Sequence, residues 1–333
     1  MKAALLVPEI PTEIPAGRAW AARRERAADY VALTKPRIAV MVLVTVAVGF
    51  LLGDRGASTT AALPHLLAAA GPASALLRGL ESPPWPFLLT MVGTGLVAAG
   101  ASAWNQYIER PRDARMRRTA DRPLPSGRLA PAEAAWFGSA LAALGLALLG
   151  LGSNAVAVGV AAATFVLYAF VYTPLKPLTT LNTAVGAVPG ALPPVIGWAA
   201  ATGRLGVEAW SLFLIVFLWQ FPHFLAIAWI HRADYARAGH KMLPTVDPAG
   251  AITGRQAAGY ALALVPAGLL PAVVGLAGPW YFAGSLAFGL FYLAGAVRFW
   301  ADVSDANARR LLGASFLYLP AVLLILVLNP LPA

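Results

Sequence analysis

AWSLFLIVFLWQFPHFLAIAWI, residues 209–230, runs without a single Asp, Glu, Lys or Arg. As a helix rising 1.5 Å per residue it is long enough to cross the roughly 30 Å hydrocarbon layer of a bilayer. Comparable apolar stretches recur along the chain, and spans are predicted at 38–53, 87–106, 134–151, 154–172, 184–201, 209–230, 257–277, 280–300 and 310–328. Hydrophobic residues make up 59% of the 333 and charged residues 12%. Soluble domains run near half and a quarter. That excess needs a second apolar solvent, which is a bilayer. Lipid satisfies no backbone N–H or C=O, so only helices or a closed barrel can span it. The continuous runs exclude the short alternating segments of a barrel. The fold class expected is all-α, a polytopic membrane protein of nine transmembrane helices.

Charge sets the topology. Of the 25 Lys and Arg, only Arg55, Arg78 and Arg204 fall on one side of the nine spans. The positive-inside bias then puts the N-terminus in the cytoplasm and the C-terminus outside. The net charge of +10 reads as this bias and as attraction to anionic membrane lipid, with no nucleic-acid partner implied. Cysteine is absent, which excludes thiolate chemistry and Cys-based metal sites. Residues 1–37 form a polar N-terminal segment that does not read as a cleavable signal, and 38–330 a single membrane domain. Within that domain, 54–86 is a long external loop with an apolar middle (Leu63 to Leu80), and 107–133 and 231–256 are cytoplasmic loops. Span 184–201 carries Pro189, Pro193 and Pro194, which disfavour a straight helix.

Ionisable groups at span ends are costly and invite a functional reading. Asn105, Glu109 and Asp113 are four apart, so on a continuing helix their oxygens share one face. Oxygen donors of this kind suit Mg²⁺, which takes few carboxylates together with phosphate oxygens. Arg117, Arg118 and Arg122 follow, suited to phosphate oxygens. The group reads as a diphosphate site, or else as juxtamembrane charges anchoring a loop. Pro111 argues against regular helix up to Asp113 and would put that carboxylate on a kink or loop. In a second cluster, Gln220, His231 and Asp234 lie on the face of His223 if the helix survives Pro222. His223 is then a base, a hydrogen-bond donor or a haem ligand, or simply a packing residue. Lys176 either reaches a phosphate or marks the cytoplasmic side.

The run Asn105-Gln106-Tyr107-Ile108-Glu109-Arg110-Pro111-Arg112-Asp113, with Met116 and Arg118-Thr119 through Arg122-Pro123-Leu124, resembles the first signature of the haem O synthases. These are the protohaem IX farnesyltransferases, within the UbiA-type superfamily of intramembrane prenyltransferases. Leu33-Thr34-Lys35-Pro36-Arg37, Tyr172-Thr173-Pro174-Leu175-Lys176 and Trp219-Gln220-Phe221-Pro222-His223-Phe224 are similar to the same family, as are Asp234-Tyr235 and Met242-Leu243-Pro244. The likeness spans about residues 30 to 325, and the Trp-Gln-Phe-Pro-His run is its most specific part.

The resemblance implies a helical bundle around a central cavity that moves farnesyl from farnesyl diphosphate to a vinyl group of haem B. Water adds to the same vinyl, giving haem O for terminal oxidases. It implies that Asn105, Glu109, Asp113 and Asp234 hold Mg²⁺, and that Arg117, Arg118, Arg122, Lys176 and Lys241 grip diphosphate. His223, Gln220, Tyr172 and Asn182 would lie on the haem side. A multi-pass location in the cell (inner) membrane is implied, with a haem A synthase or oxidase assembly factors as partners. The superfamily's second acidic motif is thinned here to Asp234. Other readings of the residues are a prenyltransferase for a quinone-type acceptor, or a transporter, whose polar groups would gather near mid-membrane rather than at span ends.

Overall fold

The computed structural model describes residues 16–62 and 85–329. Helix α1 (Ala16–Thr34) leads into α2 (Pro36–Ala62), followed by α3 (Trp85–Asp113), α4 (Pro131–Gly152) and α5 (Ala155–Val166). A π-helical turn, Leu167–Tyr172, joins α5 to the short α6 (Thr173–Leu175). Then come α7 (Asn182–Ala191), α8 (Pro193–Thr202), α9 (Val207–Ile230), α10 (Arg232–Arg237), α11 (Leu243–Val246), α12 (Ala251–Val273), α13 (Pro279–Ala301) and α14 (Asp305–Leu328). No strand occurs among the described residues.

Nine spans long and apolar enough to cross a membrane are present among the described residues, at the nine places the hydropathy pattern predicts. Trp136, Leu151, Trp280 and Val273 are each more than 70% exposed, an outer surface suited to lipid rather than water. The protein is a multi-pass membrane protein. Its fifth span is broken at Leu192 into α7 and α8, where Pro193 and Pro194 withhold backbone donors.

Small residues set the closest helix crossings. A Cβ on Gly100 would lie 2.5 Å from the Gly138 carbonyl oxygen, and one on Gly197 2.0 Å from that of Val46. Lacking a hydrophobic drive between helices in lipid, such contacts let backbones approach and gain dispersion energy. Packing runs from α2 to α3, from α3 to α4 and from α4 to α5; α2 also packs on α8, and α9, α12, α13 and α14 form the other side, with α14 returning to α2. Arg55 Nη1 donates to the Val327 carbonyl at 2.8 Å and ties the far ends of α2 and α14.

Three boundaries differ from expectation. The first nine residues of the 54–86 loop continue α2, since no proline interrupts the chain before Pro64; Leu63 to Leu80 lies outside the described residues. Helix α3 carries on through Pro111 to Asp113. Proline leaves the Tyr107 carbonyl without its helical donor, and Arg110 Nη1 supplies one at 2.6 Å. Helix α12 starts at Ala251 rather than 257, because Asp247 Oδ2 accepts from Thr253 N at 2.7 Å and Thr253 Oγ1 at 2.9 Å.

Candidate functional site

Because α3 is unbroken, Asn105, Glu109 and Asp113 do fall on one face. All three are buried, at 1%, 5% and 0% exposure. Burying two carboxylates costs several kcal/mol each unless they are paired, and the pairing comes from three separate segments. Lys176, just beyond α6, places Nζ 2.6 Å from Glu109 Oε1. Arg122, in the turns after α3, donates from Nη1 to Asp113 Oδ2 at 2.7 Å. Thr119 Oγ1 donates to the Asp113 carbonyl at 2.9 Å and folds that turn back over the site.

The third cation is Lys35. Its Nζ donates to Asn105 Oδ1 at 2.7 Å. It occupies the α1–α2 junction with φ +49°, the one non-glycine residue with positive φ among the described residues. Gln106 Nε2 donates to the Leu33 carbonyl at 2.9 Å and fixes that junction on α3. Such strain at a part-buried polar contact is held by its surroundings. Burial pushes the Lys35 ammonium down to about 7, with repulsion from Arg122 adding to it and Glu109 opposing. For Lys176 burial also acts downward, but the Glu109 carboxylate reverses it and holds that ammonium above its ordinary value.

Asn105 Nδ2 donates to Thr173 Oγ1 at 3.1 Å, and Thr173 Oγ1 donates to the Tyr168 carbonyl at 2.8 Å. The π-helical turn thus docks against α3, a common setting for such turns. It turns Tyr172 beneath Lys176, whose Nζ sits 4.7 Å from the ring centroid. The loop before α11 closes the other side: Lys241 N donates to the Lys176 carbonyl at 2.7 Å, and Asn182 Nδ2 to the Lys241 carbonyl at 2.9 Å. The Lys241 side chain is exposed, as are those of Arg117 and Arg118. The Arg118 guanidinium lies 5.1 Å from the Tyr235 ring centroid and so joins the α3–α4 connection to α10.

Asp234 does not join this group. Helix α9 survives Pro222 but ends at Ile230, so the shared face with His223 stops before Asp234, which sits on α10 and pairs with Arg237. Among the described residues no three His, Asp or Glu side chains converge as metal ligands. A two-carboxylate site fits Mg²⁺ better than a protein cage does. Asp113 Oδ1 is buried and has no hydrogen-bond partner among the described residues; an anionic oxygen so placed suits a cation.

His223 lies deeper on α9. Its Nδ1 is 2.7 Å from Ser315 Oγ on α14, and its ring stacks on Trp219 at 4.8 Å. Gln220 Nε2 donates to the Ala187 and Val216 carbonyls, both at 3.1 Å, bracing the broken fifth span. Two site residues went unassigned in the sequence. Lys35 lies within a stretch whose family likeness was visible. His240 gave no signal; it is buried beside the cluster, and burial pushes its imidazolium down to about 4, with Glu109 opposing.

The fold and this cluster define a helical membrane protein with a buried, cation-rich site at one end of its bundle. The chain belongs to the UbiA prenyltransferase family, whose pattern it matches over residues 65–320. It is 46% identical over 301 residues to a protoheme IX farnesyltransferase of Solibacter usitatus, covering 90% of this chain and 98% of that one. A protein of the same name from Salinibacter ruber is 40% identical over 90% and 98% of the two chains. Among solved structures, a membrane digeranylgeranylglyceryl phosphate synthase superposes with TM-score 0.71 at 17% identity, covering 92% of this chain and 98% of that one. A UbiA homolog from Archaeoglobus fulgidus, bound to GPP and Mg²⁺, gives 0.60 at 15% identity over 90% and 99%.

Proposed function

We propose that the protein transfers farnesyl from farnesyl diphosphate to a vinyl group of haem B, with addition of water, to give haem O and diphosphate. The observation that carries this is the buried face of α3, two carboxylates and an amide ringed by Lys35, Arg122 and Lys176, in a chain so similar to the protoheme IX farnesyltransferases. The cluster lies at the cytoplasmic end of the bundle in the cell membrane, where a soluble head meets a membrane-borne tail.

Lys176 and Arg122 bind the diphosphate, and Lys35 stands close enough to join them; Arg117, Arg118 and Lys241 line its approach. Asp113 and Glu109, with Asn105, would hold Mg²⁺, which when bound supplies positive charge to the leaving group. As the C1–O bond of the farnesyl ester breaks, its electron pair leaves on the diphosphate. The fixed cations are worth most at that moment because they are already in place. The vinyl π electrons then bond to farnesyl C1, water adds to the internal vinyl carbon, and its proton is lost. Tyr172 and the surrounding apolar helices keep other water from the allylic cation. His223, with Gln220, belongs to the haem side, whereas Tyr172, beneath Lys176, and Asn182, bonded to the Lys241 carbonyl, stand nearer the diphosphate than the haem-side role expected of them.

Purified protein in lipid nanodiscs, given farnesyl diphosphate, haem B and Mg²⁺, is expected to yield haem O by mass spectrometry. Absence of haem O, with prenylation of an added quinone precursor instead, would reject the haem assignment.

A further inference from the structure

Trp219, His223 and Ser315 form a hydrogen-bonded unit between α9 and α14 that the diphosphate chemistry leaves unused. Trp219 Nε1 donates to the Ser315 carbonyl at 3.0 Å, and Tyr292 Oη donates to the Trp219 carbonyl at 3.2 Å. Ser315 is fully buried and its Oγ lies 2.6 Å from the Leu312 carbonyl oxygen. The Tyr292 hydroxyl also faces Ser315 Oγ, but the Leu312 carbonyl at 2.6 Å is a full acceptor, and two oxygens that close attract only if a proton lies between them; the geometry gives the Ser315 hydroxyl proton to Leu312. Ser315 Oγ can therefore only accept from the imidazole, and the proton at the 2.7 Å contact sits on His223 Nδ1.

We propose that Ser315 is a positioning residue that holds His223 as its Nδ1–H tautomer, leaving the Nε2 lone pair free to act as a base or as a ligand to haem iron. The ring cannot easily turn to exchange its nitrogens. Trp219 stacks on it at 23°, Phe316 meets it edge-on with centroids 5.3 Å apart, and Phe224 leans on it at 5.4 Å. Histidine ligands commonly have the second nitrogen fixed in this way, and losing the outer partner typically costs about 10- to 100-fold in ligand affinity or activity. The functional half of this inference rests on the haem-side reading of His223; the tautomer does not.

The test uses the full-length protein in nanodiscs with ¹⁵N-labelled histidine, the His223 signals being assigned by their loss in His223→Ala. Without substrates, ¹⁵N shifts are expected to report Nδ1–H in the wild type and in Ser315→Thr, and a mixture or the Nε2–H form in Ser315→Ala. Ser315→Ala should lower kcat/KM for haem B about 10-fold or more, with KM for farnesyl diphosphate unchanged, and Ser315→Thr should restore it. An Nε2–H wild type overturns the proposal even if haem O is made. A tautomer that switches in Ser315→Ala while haem use stays at the wild-type level overturns the positioning role. If Ser315→Ala does not fold, the wild-type tautomer and the Thr variant decide. Wild-type protein that shows the Nδ1–H form yet makes no haem O removes the proposed function and leaves the tautomer standing.

Discussion

Replacing Lys176 with Met removes one half of the Lys176–Glu109 pair, whose side chains are 14% and 6% exposed. At their 2.6 Å separation and an effective dielectric of about 20, the attraction is about 6 kcal/mol, most of it offsetting the desolvation of two ions. Taking away one partner of such a pair typically destabilises by about 3–5 kcal/mol, because a bare charge stays buried. Lys35 also attracts Glu109, so the lower end, about 3 kcal/mol, is expected for Lys176→Met. Adding Glu109→Gln leaves no bare charge, and the double variant should recover to within about 1 kcal/mol of the wild type. Turnover should not recover. Both variants lack a cation aimed at the leaving group, a loss of about 10²- to 10³-fold. Equilibrium unfolding in mixed micelles, followed by tryptophan fluorescence, measures the first quantity, and haem O formation the second. A double variant no more stable than Lys176→Met would refute the ion-pair argument. Turnover near wild type in either would refute the placement of Lys176 on the diphosphate.

Asp113→Asn keeps the side-chain shape but removes the charge facing Arg122, and the Mg²⁺ concentration for half-maximal turnover should rise about 10-fold or more. An unchanged Mg²⁺ titration would take Asp113 out of the metal site. His223→Ala should raise KM for haem B about 10-fold while leaving KM for farnesyl diphosphate alone; equal effects on both substrates would contradict its haem-side position. Gly197→Val would drive a side chain into the Val46 backbone, where nothing flexible can yield, costing about 3 kcal/mol or more. Gly159→Val, with open space around its Cβ, serves as the control, and thermal unfolding that fails to separate the two would refute the close-crossing account.

Hydropathy and charge placed the nine spans because both signals are local and strong. The shared face of Asn105, Glu109 and Asp113 was also readable, being a matter of helical period alone. What escaped depends on partners distant in sequence. Nothing around Pro111 announces that Arg110 will fold back onto the Tyr107 carbonyl and let the helix pass. The break after Ile230 that carries Asp234 away from His223 is a tertiary choice, stabilised where α10 docks on α11 and Arg118 meets Tyr235. Lys35 reaches Asn105 across 70 positions through a turn whose left-handed backbone no residue type there demands. Its family likeness marked the stretch as meaningful without saying which neighbour it meets.

The charges of the cluster suggest why so few acids suffice. Lys35 when protonated, Lys176 and Arg122 face Glu109 and Asp113, so the buried site carries a net charge of about +1. A fully ionised prenyl diphosphate carries about −3, and with one Mg²⁺ about −1. Their sum is close to zero. For a cluster buried among apolar helices, where an uncompensated ion is costly, the proposed function predicts from that balance that the metal-loaded ester binds better than either component alone. A second acidic pair, with its own metal, would add no net charge overall, yet it would place two more carboxylates in the same low-dielectric space. Asp234, turned aside onto Arg237, is consistent with a site that works with one acidic face and supplies the remaining positive charge from lysine and arginine. Substituting Lys35 with Met should therefore weaken farnesyl diphosphate binding most at low Mg²⁺, with the deficit narrowing as the metal is raised. A deficit independent of Mg²⁺ would mean that Lys35 supports the fold of the α1–α2 junction rather than the charge of the site.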